Sequence, residues 1–335
     1  MSIDRCDWDR AVALLAPADE VVLVCHVAPD GDALGSMLAL GAALRARGTR
    51  VCASWGSEPF EVPAAYRFLP ALDLLAPGAD LPARPALLVT LDTGSVDRLG
   101  SLAPLVDSAR QVLVVDHHTS NTRYGTEHLV DTGAAATAVV VAELLERLGL
   151  PLTQDVATAL YTGLVTDTGS FKHASTSPEA HELAARLLAT GIRHDLISRS
   201  IWDTQPFGSV RLLGEVCARA ALEPGGAGGL GLVWTTVHPE DLLRHDLGLA
   251  DVEGVIDLLR TSAEAEVAVV AKADPEDGRL KVSTRSKGRI DVGEVCTGLG
   301  GGGHRFAAGY TSDEDVETTL ASLRVALAAA PHLPG

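Results

Sequence analysis

The sequence predicts an α/β protein in two parts: an N-terminal, mostly parallel sheet flanked by helices, then a smaller C-terminal α/β domain. Three observations predict it. Short runs rich in Val and Leu alternate with helical stretches through the first half of the chain. These runs are almost unbroken in apolar character, as expected of strands covered on both faces by crossover helices. The pattern then loosens over 191–212 and resumes beyond the glycine-rich LEPGGAGG at 222–229. A length of 335 residues is ample for two cores. The expected partition is a first domain over 1–190, a helical connector over 191–220 and a second domain over 221–335.

Taken in order, VVLVCH (21–26) is a buried strand and DALGSMLALGAALRARG (32–48) an amphipathic helix ended by Gly48. RVCAS (50–54), ALLVTLD (86–92) and QVLVVDHH (111–118) are the next strands, and helices follow near 134–149, 154–166 and 179–190. In the second half LGLVWTTV (230–237), EVAVVAKA (266–273) and RLKVSTR (279–285) read as strands, with helices near 238–247, 251–262 and 315–329. LGGGGH (299–304) is a low-complexity loop.

Composition excludes several classes. No apolar run approaches the length of a membrane span, and MSIDRCDWDR has no signal-peptide core, so a cytoplasmic protein is expected. Cys6, Cys25, Cys52, Cys217 and Cys296 are scattered, odd in number and never in a CxxC pair, which argues against disulfides and thiolate zinc sites. A net charge of -17 repels long nucleic acid, whose affinity rests on phosphate neutralisation. Residues 278–289 depart from that balance, with Arg279, Lys281, Arg285, Lys287 and Arg289 and no acid; an anion-binding edge is expected there.

In an open parallel sheet, ligands bind beyond the C-terminal ends of the strands. Three of the four N-terminal strand candidates end in residues suited to metals: VVLVC in His26, followed by APDGD; LLVTL in Asp92; VLVV in Asp116, His117 and His118. Pro29 and Gly31 force a tight turn that swings Asp30 and Asp32 back towards His26. Singly, Asp32 reads as a helix N-cap and Asp92 as an Asx-turn. Asp167 in GLVTDTGSF follows a predicted helix. Adjacent ionisable residues at the end of a buried strand need a partner, and a metal supplies one. Such an oxygen-rich set with imidazoles suits Mn²⁺, with Mg²⁺, Co²⁺ or Fe²⁺ as substitutes. Six ligands fit two ions sharing a bridging carboxylate, an arrangement suited to in-line phosphoester hydrolysis.

HVAPDGDALGS, LDTGSVDRLG, VDHHTSN and GLVTDTGSF resemble, in order, the four motifs of the DHH phosphoesterase superfamily, and LGGGGHRFAAGY resembles the signature of its DHHA1 domain. The length is similar to that of the bacterial oligoribonuclease (nanoRNase) and 3′-phosphoadenosine 5′-phosphate (pAp) phosphatase group. The resemblance implies a DHH catalytic domain and a DHHA1 substrate-binding domain facing each other across a cleft. It implies that His26 and Asp30 bind one metal, that Asp32, His117 and Asp167 bind the other, and that Asp92 bridges them. Asp116 would orient the neighbouring imidazole, and His118 would contact the scissile phosphate. The implied activity is hydrolysis of short oligoribonucleotides to 5′-mononucleotides and dephosphorylation of pAp. The nearest alternative is a phosphodiesterase of linear or cyclic dinucleotides such as pApA or c-di-AMP.

In the second half, Gly300 to Gly303 free the backbone for close approach to a ligand, and His304 follows. Arg285 and Ser286 are suited to phosphate. By the same resemblance Arg285, Ser286, Gly302, Gly303 and His304 are substrate contacts, with Arg98 and Asn121 as further candidates. A metal pair and one small basic patch suit a dinucleotide, a short oligomer or pAp, not a long duplex. With 4% aromatic residues, an extended base-stacking track is not expected. The oligomeric state is not fixed by the sequence, a homodimer being compatible with it.

Overall fold

The computed structural model describes residues 5–334, without the side chains of residues 5, 6 and 250. The side chain of Cys6 and the first four residues of the N-terminal stretch therefore lie outside the described residues. The chain divides into two compact units, the first running to Thr204 and the second beginning at Gln205.

The first unit comprises α1 (Arg5–Leu15), β1 (Glu20–Cys25), α2 (Gly31–Ala46), β2 (Arg50–Trp55), β3 (Leu88–Leu91), α3 (Pro104–Ser108), β4 (Val112–Asp116) and β5 (Glu127–Val130). Four helices follow: α4 (Thr137–Arg147), α5 (Gln154–Asp167), α6 (Pro178–Leu188) and α7 (His194–Trp202). The strands form one parallel sheet in the order β2-β1-β3-β4-β5. Side-chain alternation splits its core in two. Val21, Leu23, Cys25, Val89, Leu91, Leu113 and Val115 pack with α2, α4 and α5. Val22, Val24, Leu88, Val112 and Val114 pack with Leu99 and Leu102 of the 3-10 segment Val96–Leu102. The fifth strand was not expected from the sequence: EHLV has four residues, and the first two are only half-buried at the sheet edge.

The second unit holds α8 (Phe207–Ala218), β6 (Ala221–Glu223), a distorted turn α9 (Gly226–Gly229), β7 (Leu232–Val237), α10 (Pro239–His245), α11 (Val255–Leu259), β8 (Val267–Ala273) and β9 (Leu280–Ser286). It ends with α12 (Val292–Gly298), β10 (Gly302–His304), β11 (Ala307–Ser312) and α13 (Val316–Ala329). Its sheet runs β10-β11-β9-β8-β7-β6, with β7–β8 the parallel pair. One face packs on α12 and α13, the other on α8, α10 and α11. Three strands were expected and six are present; β6, β10 and β11 are short or glycine-rich and carry no apolar run. The expected connector over 191–220 divides its helices: Ile197 and Ile201 of α7 belong to the first core, Leu212 and Val216 of α8 to the second. Among the described residues no helix is long and apolar enough to cross a membrane, and Cys25, Cys52, Cys217 and Cys296 are free.

Helices α2 and α5 approach closely because both carry glycine at the contact. A Cβ on Gly35 would lie 2.4 Å from the Ala159 carbonyl oxygen, and one on Gly163 would lie 2.6 Å from Asp32 Oδ1. Gly35→Ala should therefore destabilise the chain by about 1–3 kcal/mol through overpacking, read as a lower urea midpoint. Gly214→Ala, in α8 with nothing within 4 Å of the added carbon, should be neutral or stabilising by up to roughly 1 kcal/mol. Equal effects of the two changes would contradict the close contact.

Candidate metal centre

Three strands of a parallel sheet deliver their C-terminal ends to one rim. His26 follows β1, Asp92 follows β3, and Asp116 closes β4 ahead of His117 and His118. Asp30 is the N-cap of α2, its carboxylate accepting the amides of Asp32 and Ala33 at 3.0 and 3.1 Å. The capping role considered for Asp32 thus belongs to Asp30. Asp32 is buried, held by α4 and by its own helix: Oδ2 accepts Thr137 N at 2.6 Å, and Oδ1 accepts Ala138 N at 2.9 Å and, from α2, Ser36 Oγ at 3.1 Å. Asp167 is the last residue of α5.

Asp92 is the centre of the cluster. Its oxygens lie 3.6 Å from His26 Nε2, His117 Nε2 and His118 Nδ1. Thr137 Oγ1 donates to Asp92 Oδ1 at 2.9 Å. His26 Nε2 also lies 3.7 Å from Asp30 Oδ2, and His117 Nε2 lies 3.1 Å from Asp167 Oδ2. Ligand-type atoms gather within 4.8 Å of one another in the groups His26, Asp30, Asp92 and Asp32, Asp92, His117, with Asp92 common to both. Asp92 is left-handed, φ 54°, a conformation that Asp and Asn tolerate better than most residues.

The imidazoles are aimed from behind. His26 Nδ1 lies 2.8 Å from Val27 O and 3.3 Å from Arg98 Nη2; the shorter contact makes Nδ1 the protonated nitrogen and turns Nε2 to the carboxylates. His117 Nδ1 donates to Ala134 O at 3.2 Å. Asp116, fully buried, grips His118 Nδ1 at 2.7 Å, so the imidazole it orients is His118 and not the adjacent His117. Asn121, expected as a substrate contact, is committed elsewhere: its amide donates to Asp116 Oδ2 at 2.5 Å and Thr93 O at 3.3 Å, and its oxygen accepts Arg123 N at 2.7 Å. Exposed Arg98 stands behind His26.

The electrostatics call for cations. Burial works to lower the His26 pKa, but Asp30 and Asp92 outweigh it and push it up to about 10. Burial likewise opposes protonation of His117, and Asp167, Asp92 and Asp32 reverse the balance. Burial and the charges of Asp92 and Asp167 hold Asp32 well above the usual carboxylate range. Crowded carboxylates with imidazole nitrogens pointed among them fit hard or borderline divalent ions. Sequence reasoning missed Thr137 and Ala134, whose local stretch GAAATAVV carries no chemical signal. It also missed Tyr66, whose phenol burial and then the charge of Asp30 push up.

In the second unit, register places His304 opposite Ala307 and Ala307 opposite Arg285, so the imidazole and guanidinium share a face. The next row of that face is Gly302, Gly309 and Ser283, leaving a platform almost bare of side chains. The glycines differ in cause. Cβ atoms on Gly301 and Gly303 would lie 2.1 Å from Gly309 O and 2.6 Å from Ala308 Cα, so packing within the hairpin requires them. Gly302 would meet nothing within 4 Å. Ser286, expected as a phosphate contact, is buried; its hydroxyl donates to Glu266 Oε1 at 2.7 Å and accepts Gly288 N at 3.1 Å and Ile290 N at 3.3 Å. Two cations of the basic edge are neutralised, Arg279 by Asp277 and Lys281 by Asp274, both at 2.7 Å, whereas Arg285 approaches Asp257 to 3.8 Å and donates to Thr284 O at 3.1 Å.

Comparison with known proteins agrees with the fold of the two units. The DHH family, N-terminal domain, matches residues 20–164, and the DHHA1 domain matches residues 240–329. The chain belongs to the DHH family, in its DHH–DHHA1 form. It is 35% identical, over 97% of both chains, to the Thermus thermophilus protein named bifunctional oligoribonuclease and PAP phosphatase NrnA. It is 29% identical to the cyclic-di-AMP phosphodiesterase GdpP of Geobacillus thermodenitrificans, covering 94% of this chain and 48% of that protein. An exopolyphosphatase-related protein from Bacteroides fragilis shares the fold, with a TM-score of 0.86, 23% identity and coverage of 97% and 96%.

Metal should stabilise the fold. Mn²⁺ at a free concentration about 100 times its Kd should add about 2.7 kcal/mol, seen as a rise in calorimetric Tm that a chelator reverses. Asp92→Asn, which keeps the left-handed backbone but removes the shared charge, should lose most of that rise. A full metal response in this variant would contradict the central place of Asp92.

Proposed function

We propose that this chain is a divalent-metal phosphoesterase that releases 5′-mononucleotides from very short RNA and dephosphorylates pAp. The observation that carries this reading is Asp92, one carboxylate common to two ligand groups at the sheet rim. His26 and Asp30 would hold one ion, Asp32, His117 and Asp167 the other, and Asp92 both. Two bound ions would supply an activated water and neutralise charge on the phosphoryl oxygens. Mn²⁺ suits the mixed oxygen and imidazole set, with Mg²⁺ or Co²⁺ as substitutes.

The chain's own residues do the rest. Asp116, itself held by Asn121, fixes Nδ1 of His118, so proton exchange with the scissile phosphate or its leaving oxygen falls to Nε2. The platform of Gly302, Gly309, Ser283 and Ala307 suits the flat face of a base, and Arg285 and His304 suit a further phosphate. The net charge of -17 favours short substrates over long ones. We read the protein as cytoplasmic. Cyclic and linear dinucleotide hydrolysis is the second reading, favoured by the likeness to GdpP.

The test is purified chain with Mn²⁺ against pAp, di- to pentanucleotides, pApA and c-di-AMP side by side, products separated by chromatography. Hydrolysis of pAp and the short oligomers is expected; activity confined to cyclic dinucleotides would replace the first reading by the second. Asp92→Asn should abolish hydrolysis of every substrate with the fold intact by circular dichroism. Arg285→Ala and Gly302→Leu should fold normally, raise KM for nucleotides and spare bis-p-nitrophenyl phosphate. Equal loss on both substrate types would count against a separate nucleotide platform.

A further inference from the structure

The turn after Asp167 departs from every other turn described in the first unit. Gly169, Ser170 and Phe171 stand consecutively in the left-handed region, with φ 55°, 58° and 64°. Glycine takes that region freely, but Ser170 and Phe171 are held there against their preference. Such strain persists only where the surroundings over-determine it. Here Thr168, fully buried, is the anchor: its hydroxyl accepts Phe171 N at 3.1 Å, and its carbonyl accepts Lys172 N and His173 N at 2.9 and 3.0 Å. The Phe171 ring stacks on His181 of α6 at 4.7 Å.

The turn satisfies the closing carbonyls of α5 in succession. Leu164 O accepts Thr168 Oγ1 at 2.6 Å, Val165 O accepts Ser170 N at 2.8 Å, and Thr166 O accepts Gly169 N at 3.1 Å. The carbonyl of Asp167 is met by a side chain, His173 Nδ1 at 3.0 Å. A Cβ on Gly169 would fall 2.4 Å from His173 Nε2, so the glycine makes room for this ring. An acid at a helix C-terminus is opposed by the helix dipole, which leaves the Asp167 end of α5 in need of an external donor.

We infer that His173 is a positioning residue for Asp167, and that the left-handed turn serves to deliver its N–H to the last carbonyl of α5. The inference rests on the metal-centre reading given above. Without His173 the final turn frays, and the Asp167 carboxylate leaves its place 3.1 Å from His117 Nε2. The ligands on β1, β3, β4 and α2 stay, so the damage falls on one of the two ions.

Mn²⁺ titration of the full chain, followed by calorimetry and electron paramagnetic resonance, tests this. Wild type should bind two ions with a spin-coupled signal. His173→Ala should bind the first ion as wild type does and the second about 10–100-fold more weakly. At one to two equivalents an uncoupled spectrum should then replace the coupled one. His173→Phe, which keeps a ring over Gly169 but no donor, should behave like the alanine variant and covers the case in which that variant unfolds. His173→Gln, whose amide can donate to the same carbonyl, should recover tight binding of the second ion. The inference is overturned if the alanine and phenylalanine variants bind both ions as tightly as wild type, if both ions weaken together, or if glutamine fails to rescue. A wild type that binds no Mn²⁺ would overturn the metal-centre reading itself, whereas tight binding by all variants would overturn only the role of His173.

Discussion

Mutual repulsion among buried carboxylates is the constraint from which the first unit is built. Asp32, Asp92 and Asp116 are each almost inaccessible to water, and Asp30 and Asp167 close the ring around them. Such a cluster is tolerable only if every oxygen has a donor or a cation. The parallel sheet makes the gathering possible, because strands running one way end on one rim. The helices make it tight: without glycine at 163, α5 could not pass Asp32 at its observed distance.

Donors around the cluster come mostly from main chain and small side chains. Thr137 touches two acids at once, its amide on Asp32 and its hydroxyl on Asp92, so the start of α4 sets the spacing between them. Each histidine has its Nδ1 fixed by an oxygen: His26 and His117 by the main-chain carbonyls of Val27 and Ala134, and His118 by the carboxylate of Asp116. Orientation is thus settled before any ligand arrives, the usual condition for a site that must hold geometry to a fraction of an ångström.

Much of this was legible in the sequence, for a physical reason. Strand ends carrying His26, Asp92 and Asp116 stood out because ionisable residues rarely follow buried apolar runs without a purpose, and the alternation of runs and helices gave the parallel sheet. What stayed hidden depends on contacts distant along the chain. Asn121 sits beside a motif and looked like a substrate contact, yet its amide is spent on Asp116. Thr137 is one threonine in an alanine-rich stretch. The hairpin β10–β11 read as a loop because glycine has no strand propensity, while its pairing with β9 rests on the backbone ladder and on the buried Thr284 hydroxyl, which donates to Ala308 O at 2.9 Å.

Ser286 and Glu266 have a consequence for the thermodynamics of recognition. One carboxylate oxygen of Glu266 accepts the Ser286 hydroxyl and the amides of Lys287 and Arg289, at 2.7, 2.9 and 2.8 Å. The Ser286 oxygen in turn accepts the amides of Gly288 and Ile290. A glycine-containing loop that would otherwise sample many conformations is thereby frozen in the free protein, directly after Arg285. The entropy of ordering that segment is lost during folding, so any ligand that met Arg285 would find the segment after it already ordered.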